Sequence, residues 1–466
     1  MEKTNGEALM EKLFYKKKHA AEILSESEVN DAFEFCKGYR EFLDFAKTER
    51  RAVVYAEKFA KENGFLEFEA GKKYNAGDKV YKINRGKAVI LAVMGTKPLS
   101  EGVKIAAAHI DSPRLDLKQV PVYEDGEIAY FKTHYYGGIR KYQWPTIPLA
   151  LYGTIIKADG SSIDVAVGDG ENDPVFCISD LLPHLAQNYA KKPMAEAVDA
   201  ESLNLIVGSL PFRDDKASEK VKLNLLSILF EKYGITEADF LSAELEAVPA
   251  FSARDIGFDR SLLGSYGHDD RVCAYPALMA AAEISNPAYT TLTILADKEE
   301  TGSEGNTGLD SSYLRYFVED LCEPHGIPAR TVLSKSECLS ADVNAAFDPN
   351  FPEVFERKNA CFINYGVVAT KYTGARGKSG TSDASAEFTG KIRNLFDSEK
   401  IVWQSGELGK TDIGGGGTVA KYIAGLDVDV IDVGVPVLSM HAPYEIVSKI
   451  DVYMAFKAFS VFFNQK

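Results

Sequence analysis

Histidines and acids that stand at the ends of apolar runs are the residues here that could do chemistry. The stretch Thr290 to Gly302 reads T-T-L-T-I-L-A-D-K-E-E-T-G, so a β-prone run ends directly in Asp297, Glu299 and Glu300. Carboxylates at the edge of an apolar core shift their pKa or pull the strand out unless something compensates them. A metal ion is the usual compensation, and a solvated acidic turn is the plain alternative. A second run, Val103 to Ala108, ends in His109-Ile110-Asp111. Residues two apart on a strand face the same side, so His109 and Asp111 would share a pocket. A ligand histidine oriented by a carboxylate fits that pattern, and so does a core histidine beside a capping Asp.

Three further positions fit the same description. His268-Asp269-Asp270 opens a helix whose apolar face is Val272, Tyr275, Leu278 and Met279, with Asp269 or Asp270 near the N-cap. Paired acids there could simply complement the helix dipole. Asp342 lies among small residues in S-A-D-V-N, and His441 just follows the apolar run Val435 to Leu438. Together His109, Asp269, Glu299, Glu300, Asp342 and His441 supply two histidines and enough carboxylates for two zinc-like ions sharing one bridging carboxylate. One acid would be left over as general base.

The elements that must position these residues read as α/β. Strands at 87–95, 103–108, 290–296 and 428–433 are near-continuous apolar runs, as in a sheet covered on both faces. Their alternation with helices implies a mostly parallel sheet, and ligands gather at the carboxyl ends of such strands. Residues 26–63 read as helical, with Ser27 as a cap and Asn63-Gly64 as a stop. A strand is also expected within 360–370, and the closing helix over 450–463 is amphipathic. The segment 121–249 changes character, with β-prone alternation, glycine-rich turns and helical stretches beginning near Ser179 and Ser218. It reads as an inserted domain, leaving 1–120 plus 250–466 as the catalytic unit. The insertion carries His134 and His184. His184 stands in L-L-P-H-L-A-Q, early in the first of those helices.

Composition narrows the partners. The 466 residues carry a net charge of −15, which argues against nucleic acid and against an anionic membrane surface. The N-terminal stretch lacks the apolar core of a signal peptide, and no apolar run approaches membrane-spanning length. The six cysteines are scattered without a C-x-x-C pair, which suits reduced thiols in a cytoplasmic protein and disfavours a cysteine-based zinc site. Gly377-Lys378-Ser379 and Gly409-Lys410-Thr411 resemble P-loop ends, but Tyr372 and Gln404 stand where that motif needs glycine. The run Gly414 to Gly417 reads as backbone that must approach a ligand closely, or as a mobile loop.

The motifs A-A-H-I-D-S-P-R-L-D-L-K (107–118), H-D-D-R-V (268–272), D-K-E-E-T-G-S (297–303), S-A-D-V-N (340–344) and S-M-H-A-P (439–443) together resemble the aspartyl aminopeptidase family of dinuclear zinc metallopeptidases. The resemblance runs over essentially the whole chain. It implies an α/β fold: a mostly parallel-sheet zinc-peptidase catalytic domain with an inserted, β-rich α+β dimerisation domain. It implies that His109, Asp269, Glu300, Asp342 and His441 bind two divalent ions, with Asp269 bridging. His109 and Asp342 would complete one ion, and Glu300 and His441 the other. Zn2+ is the expected metal, although Co2+ and Mn2+ also suit such sites. The resemblance makes Glu299 the general base, with Asp111 orienting His109 and Asp270 supporting the ligands from behind. It further implies peptide substrates, dimers assembling into a dodecamer, and a histidine of the insertion, here His184, entering a neighbouring subunit's site. Preference for Asp or Glu as the released residue is tied in the family to a basic residue after Asn364-Tyr365-Gly366, for which Lys371, Arg376 and Lys378 are the candidates. Two other readings use the same residues: a dinuclear deacylase or carboxypeptidase, and a non-catalytic assembly protein of the same fold. The second would be expected to have lost a ligand or Glu299.

Overall fold

A computed structural model describes residues 4–170 and 172–466. Its centre is a nine-stranded sheet in the order Leu66–Glu67, Lys79–Asn84, Ala88–Val93, Thr290–Ala296, Val103–His109, Glu337–Ser340, Asp429–Gly434, Val367–Thr370 and Trp403–Ser405. The four strands from Thr290–Ala296 to Asp429–Gly434 run parallel. Strands joined by short hairpins or placed outside these four include antiparallel pairs, so the sheet is mixed. Alternate residues of the Val103–His109 strand feed two different cores. Ala106 and Ala108 pack towards the helices Glu26–Phe45, Glu49–Glu62, His268–Glu283 and Lys449–Phe463. Ile105 and Ala107 pack towards Tyr313–Cys322, Ala329–Leu333 and Ala420–Ala424. Burial on both faces explains why these strands read as continuous apolar runs.

Register decides where the charged residues meet. Ala296 pairs with His109, and Ser340 pairs with Ala107. The chain therefore leaves three neighbouring parallel strands at one edge, carrying His109, Asp297 to Glu300, and Asp342 out together. A second, five-stranded sheet completes the arrangement, in the order Arg254–Ile256, Leu262–Ser265, Glu445–Ser448, Pro436–Leu438 and Asn344–Ala345. Its antiparallel pair Pro436–Leu438 and Glu445–Ser448 presents His441 at the hairpin tip. Its strand Leu262–Ser265 leads straight to Asp269, and Asn344–Ala345 follows Asp342.

A third sheet is antiparallel and six-stranded, in the order Ser162–Val167, Leu149–Ile156, Ala243–Pro249, Arg114–Asp125, Ile128–Tyr136 and Leu205–Gly208. It has its own apolar core around Leu115, Phe131, Trp144, Phe240 and Leu245. Its first strand starts at Arg114, seven residues before the change of character in the sequence.

Several expected elements differ. The cap of the Glu26–Phe45 helix is Ser25, not Ser27, because Glu28 returns a hydrogen bond to Ser25 and closes a capping box. No helix begins near Ser179: residues 179–188 are turns. Pro183 and Pro193 interrupt the stretch, and Leu181, Leu182 and Leu185 stay exposed with no apolar face to pack on. The helix expected near Ser218 is present as Lys220–Tyr233. The strand expected within 360–370 is present as Val367–Thr370.

Candidate metal centre

His109 is 1% exposed at the end of its strand. Its Nε2 lies 3.1 Å from Asp269 Oδ1. The other oxygen, Asp269 Oδ2, lies 3.2 Å from Nε2 of His441. One carboxylate thus stands between two histidines and offers an oxygen to each. Glu300 Oε1 lies 3.6 Å from His441 Nε2, and Glu299 Oε2 lies 3.9 Å from His109 Nε2. Among the described residues, donor atoms close enough to share an ion occur in three sets: Asp269, Glu300 and His441; His109, Asp270 and Asp342; and His109, Glu299 and Glu300. Five of the six residues expected from the sequence to be ligands or base thus meet across a few ångströms, and Asp342 joins them through His109.

Local backbone makes the convergence possible. The Asp269–Asp270 peptide is cis, and both residues have non-helical φ/ψ, so the regular helix starts after them. The two acids thus stand at the start of the regular helix, as the sequence led one to expect, and Gly267 just ahead of them has φ +76°. Glu299 and Glu300 lie in a single 3-10 turn entered through Lys298 at φ +66°, so adjacent side chains diverge from one point.

Two buried carboxylates hold that backbone. Asp111 contacts His109 Nδ1 at 3.3 Å and accepts the N–H groups of Glu299 at 3.1 Å and Glu300 at 3.2 Å. Glu445 accepts the N–H of His441 at 2.7 Å and of Asp269 at 3.1 Å. Asp270 lies behind the cluster, accepting the N–H of His109 at 3.4 Å. The six-stranded sheet reaches the same place. Tyr136 donates its hydroxyl to Asp111 Oδ2 at 2.8 Å, and the Gly138 carbonyl lies 2.9 Å from His441 Nδ1. Gly137 between them has φ +72°, and a Cβ there would come within 3.2 Å of Glu300 Cβ.

The electrostatics call for cations. Burial pushes Glu300, Asp270 and Asp342 well above the carboxylate range, and pushes Glu299 up to about 7 against the pull of His109. Asp269 is the exception: burial opposes its charge, but hydrogen bonds with His109 and His441 hold it low. Burial also opposes charge on His441, and Asp269 with Glu300 more than offsets that, raising it to about 10. Two buried oxygens, Glu300 Oε1 and Asp270 Oδ1, have no hydrogen-bond partner. Imidazole nitrogens with carboxylate oxygens, orphaned acceptors and surplus negative charge fit divalent ions of the zinc type.

The cluster floors a cleft of about 550 Å³. Its walls include Val343, Leu408, Met440, Tyr422 and the run Gly415–Gly417, so the glycine run does approach the site closely. Lys421 also lines it, a residue that nothing in the sequence singled out. Lys371 lines a different cavity beside Trp403 and Glu407, where its amine is 4.0 Å from Asp383. Arg376 and Lys378 line another beside Gly409 and Lys410, and Lys378 pairs with Asp383 at 3.0 Å. None of the three reaches the cleft. His184 is exposed in its turn and is not on the cleft wall either. Glu445 carries no sequence signal of its own, because its partners are backbone groups that only the fold brings to it.

Known proteins share this architecture along the whole chain. The family described as aminopeptidase I zinc metalloprotease (M18) matches residues 42–463. A probable M18 family aminopeptidase 1 of Clostridium acetobutylicum is 47% identical over 455 residues, 96% of this chain and 98% of its own length. The crystal structure of an M18 family aminopeptidase from Thermotoga maritima superposes with a TM-score of 0.93 at 42% identity, covering 97% of this chain and all of the other. More distantly, the mApe1 dodecamer of S. cerevisiae shares the fold, with a TM-score of 0.74 at 23% identity over 94% of this chain and 97% of the other.

Proposed function

Because the chain belongs to the M18 aminopeptidase I zinc metalloprotease family, we propose that it removes N-terminal residues from peptides by hydrolysis at a centre of two divalent ions, most plausibly zinc. The observation that carries this reading is Asp269, whose two oxygens face one histidine each. His109 and Asp342 would hold one ion, Glu300 and His441 the other, and Asp269 both. Ions held there would lower the pKa of a shared water and polarise the scissile carbonyl.

The remaining work falls to the chain. Glu299 stands beside the cluster, 16% exposed, with its pKa raised by burial to about 7. A carboxylate so tuned takes a proton from water and returns it to the leaving amine at neutral pH. Asp111 and Glu445 hold the ligand-bearing backbone in place, and the cleft walls exclude bulk solvent from the exchange. A preference for Asp or Glu as the released residue finds one cation on the cleft wall, Lys421. Lys371, Arg376 and Lys378 do not support it. The sheet over 114–249 is the proposed dimerisation unit, and homo-oligomers up to a dodecamer are the proposed assembly. In such an assembly the exposed His184 is available to a neighbouring subunit's cleft.

A panel of aminoacyl chromogenic amides, with and without chelator and added zinc, cobalt or manganese, tests the reading. Chelator-sensitive release that requires a free amine is the expected result. Equal release from N-acetylated amides would show that no free amine is needed and contradict the aminopeptidase reading. No release with any metal would favour a deacylase or carboxypeptidase, or a non-catalytic assembly protein.

A further inference from the structure

The strand Glu445–Ser448 carries a buried acid that does not line the cleft and, among the described residues, belongs to none of the donor sets. Glu445 is 2% exposed. Antiparallel pairing with Ser265 fixes its backbone, and the strand containing Ser265 runs directly into Asp269. Its Oε1 accepts the N–H of His441 at 2.7 Å and its Oε2 the N–H of Asp269 at 3.1 Å. These amides are 172 residues apart in sequence, and both lie in irregular backbone. His441 has φ +64° at a hairpin tip, and Asp269 precedes the regular helix. The left-handed conformation of His441 is held by its surroundings and not by intrinsic preference. A single carboxylate therefore ties together two segments whose side chains must converge within 3.2 Å.

On the opposite side Asp111 makes the matching connection to Glu299 and Glu300. The two clamps differ in reach, however. Asp111 also touches His109, whereas Glu445 holds only the residues that carry His441 and Asp269.

We propose that Glu445 is a positioning residue that supports one metal position more than the other, the one formed by Asp269, Glu300 and His441. The inference rests on the two-ion reading above. Supporting groups of this kind contribute about 10–100-fold to metal affinity. Removing this clamp should therefore weaken the two positions unequally: the His441 position loses support for two of its ligands, Asp269 and His441, whereas the His109 position loses it only for the shared Asp269.

The test is zinc titration of the metal-free full-length protein against a chromophoric chelator, comparing wild type with Glu445→Gln, Glu445→Asp and His441→Ala. The carboxamide of the first variant keeps one acceptor and turns a donor towards the other N–H. The second keeps the charge but is one methylene too short to reach both amides. Wild type should bind two equivalents. In Glu445→Gln and Glu445→Asp one of the two should weaken roughly 10–100-fold, the same one that His441→Ala removes, with the other weakened distinctly less. Their kcat should fall at limiting zinc and recover in excess zinc, with KM little altered.

Equal weakening of both positions, or of neither, would overturn the role of Glu445 while leaving the two-ion reading intact. One equivalent in wild type would overturn both. If neither Glu445 variant folds, by circular dichroism, Glu445 is a determinant of the fold and the selective role falls.

Discussion

Replacing Glu299 by Gln separates base from ligand. The substitution keeps the size and the backbone of the 3-10 turn, where Asp111 grips the N–H of residue 299 and not its side chain. Glu299 Oε2 is the more distant carboxylate from its histidine, 3.9 Å from His109 Nε2, against 3.1 Å for Asp269 Oδ1. Metal binding should therefore survive. Turnover should not, because the amide cannot take a proton. General base catalysis contributes about 10²–10⁴-fold, most when the base has a pKa near the working pH. Burial brings Glu299 to about 7, which points to the upper part of that range. A loss of about 10³-fold or more in kcat is expected, or roughly 4 kcal/mol of transition-state stabilisation. Steady-state hydrolysis of an aminoacyl amide, with zinc content measured on the same sample, gives both numbers. Loss of zinc together with activity would make Glu299 a ligand. Near-normal turnover with zinc retained would refute the base assignment.

Other predictions draw on neighbouring features. Zinc binding should release protons, since His109 and His441 are both raised above the ordinary histidine range, His441 to about 10, and must be neutral to coordinate. Apparent affinity should therefore rise with pH below about 10, and calorimetry in buffers of different ionisation enthalpy should show the release; a buffer-independent heat would contradict it. Gly137→Ala should cost about 1–2 kcal/mol in backbone strain and push on Glu300, whose Cβ lies 3.2 Å from the added carbon; weaker zinc binding with an unchanged dichroism spectrum is the expected signature. Arg114 is buried against Glu49 at 3.3 Å, Glu246 at 3.1 Å and Asp116 at 2.7 Å. Arg114→Met should destabilise by about 3–5 kcal/mol in denaturant unfolding, because it leaves buried acids without their cation; a change under 1 kcal/mol would show the acids are neutralised another way. Lys421→Ala should raise KM for Asp and Glu amides more than for Leu amides; equal change would remove Lys421 from substrate selection.

Much of the centre was legible because buried parallel strands leave a strong trace: an apolar run, then abrupt charge. That trace marked His109, Glu299 and Glu300, and the sheet register then brought them together. Asp342 was marked by its small neighbours and His441 by the apolar run before it, although the five-stranded sheet whose hairpin carries His441 was not legible. Glu445 sits in Y-E-I-V, where an acid beside alternating apolar residues looks like the wet face of a strand. Only the N–H of Asp269, far away in sequence, makes it otherwise. The Gly138 carbonyl and Lys421 were illegible for the same reason. The segment around His184 looks helical in sequence because Leu181, Leu182 and Leu185 mimic a helical face, but Pro183 and Pro193 interrupt it and these leucines stay exposed, so it forms turns and irregular backbone. Lys371, Arg376 and Lys378 were chosen by distance along the chain, and the loop carries them to other cavities.

The most direct test of the central claim is a zinc titration of the metal-free protein that follows release of a free-amine aminoacyl amide. Activity should be absent with chelator and should reach its plateau only as the second equivalent of zinc per subunit binds. Full activity in the metal-free protein, or a plateau at one equivalent with no further change, would contradict the two-ion centre around Asp269.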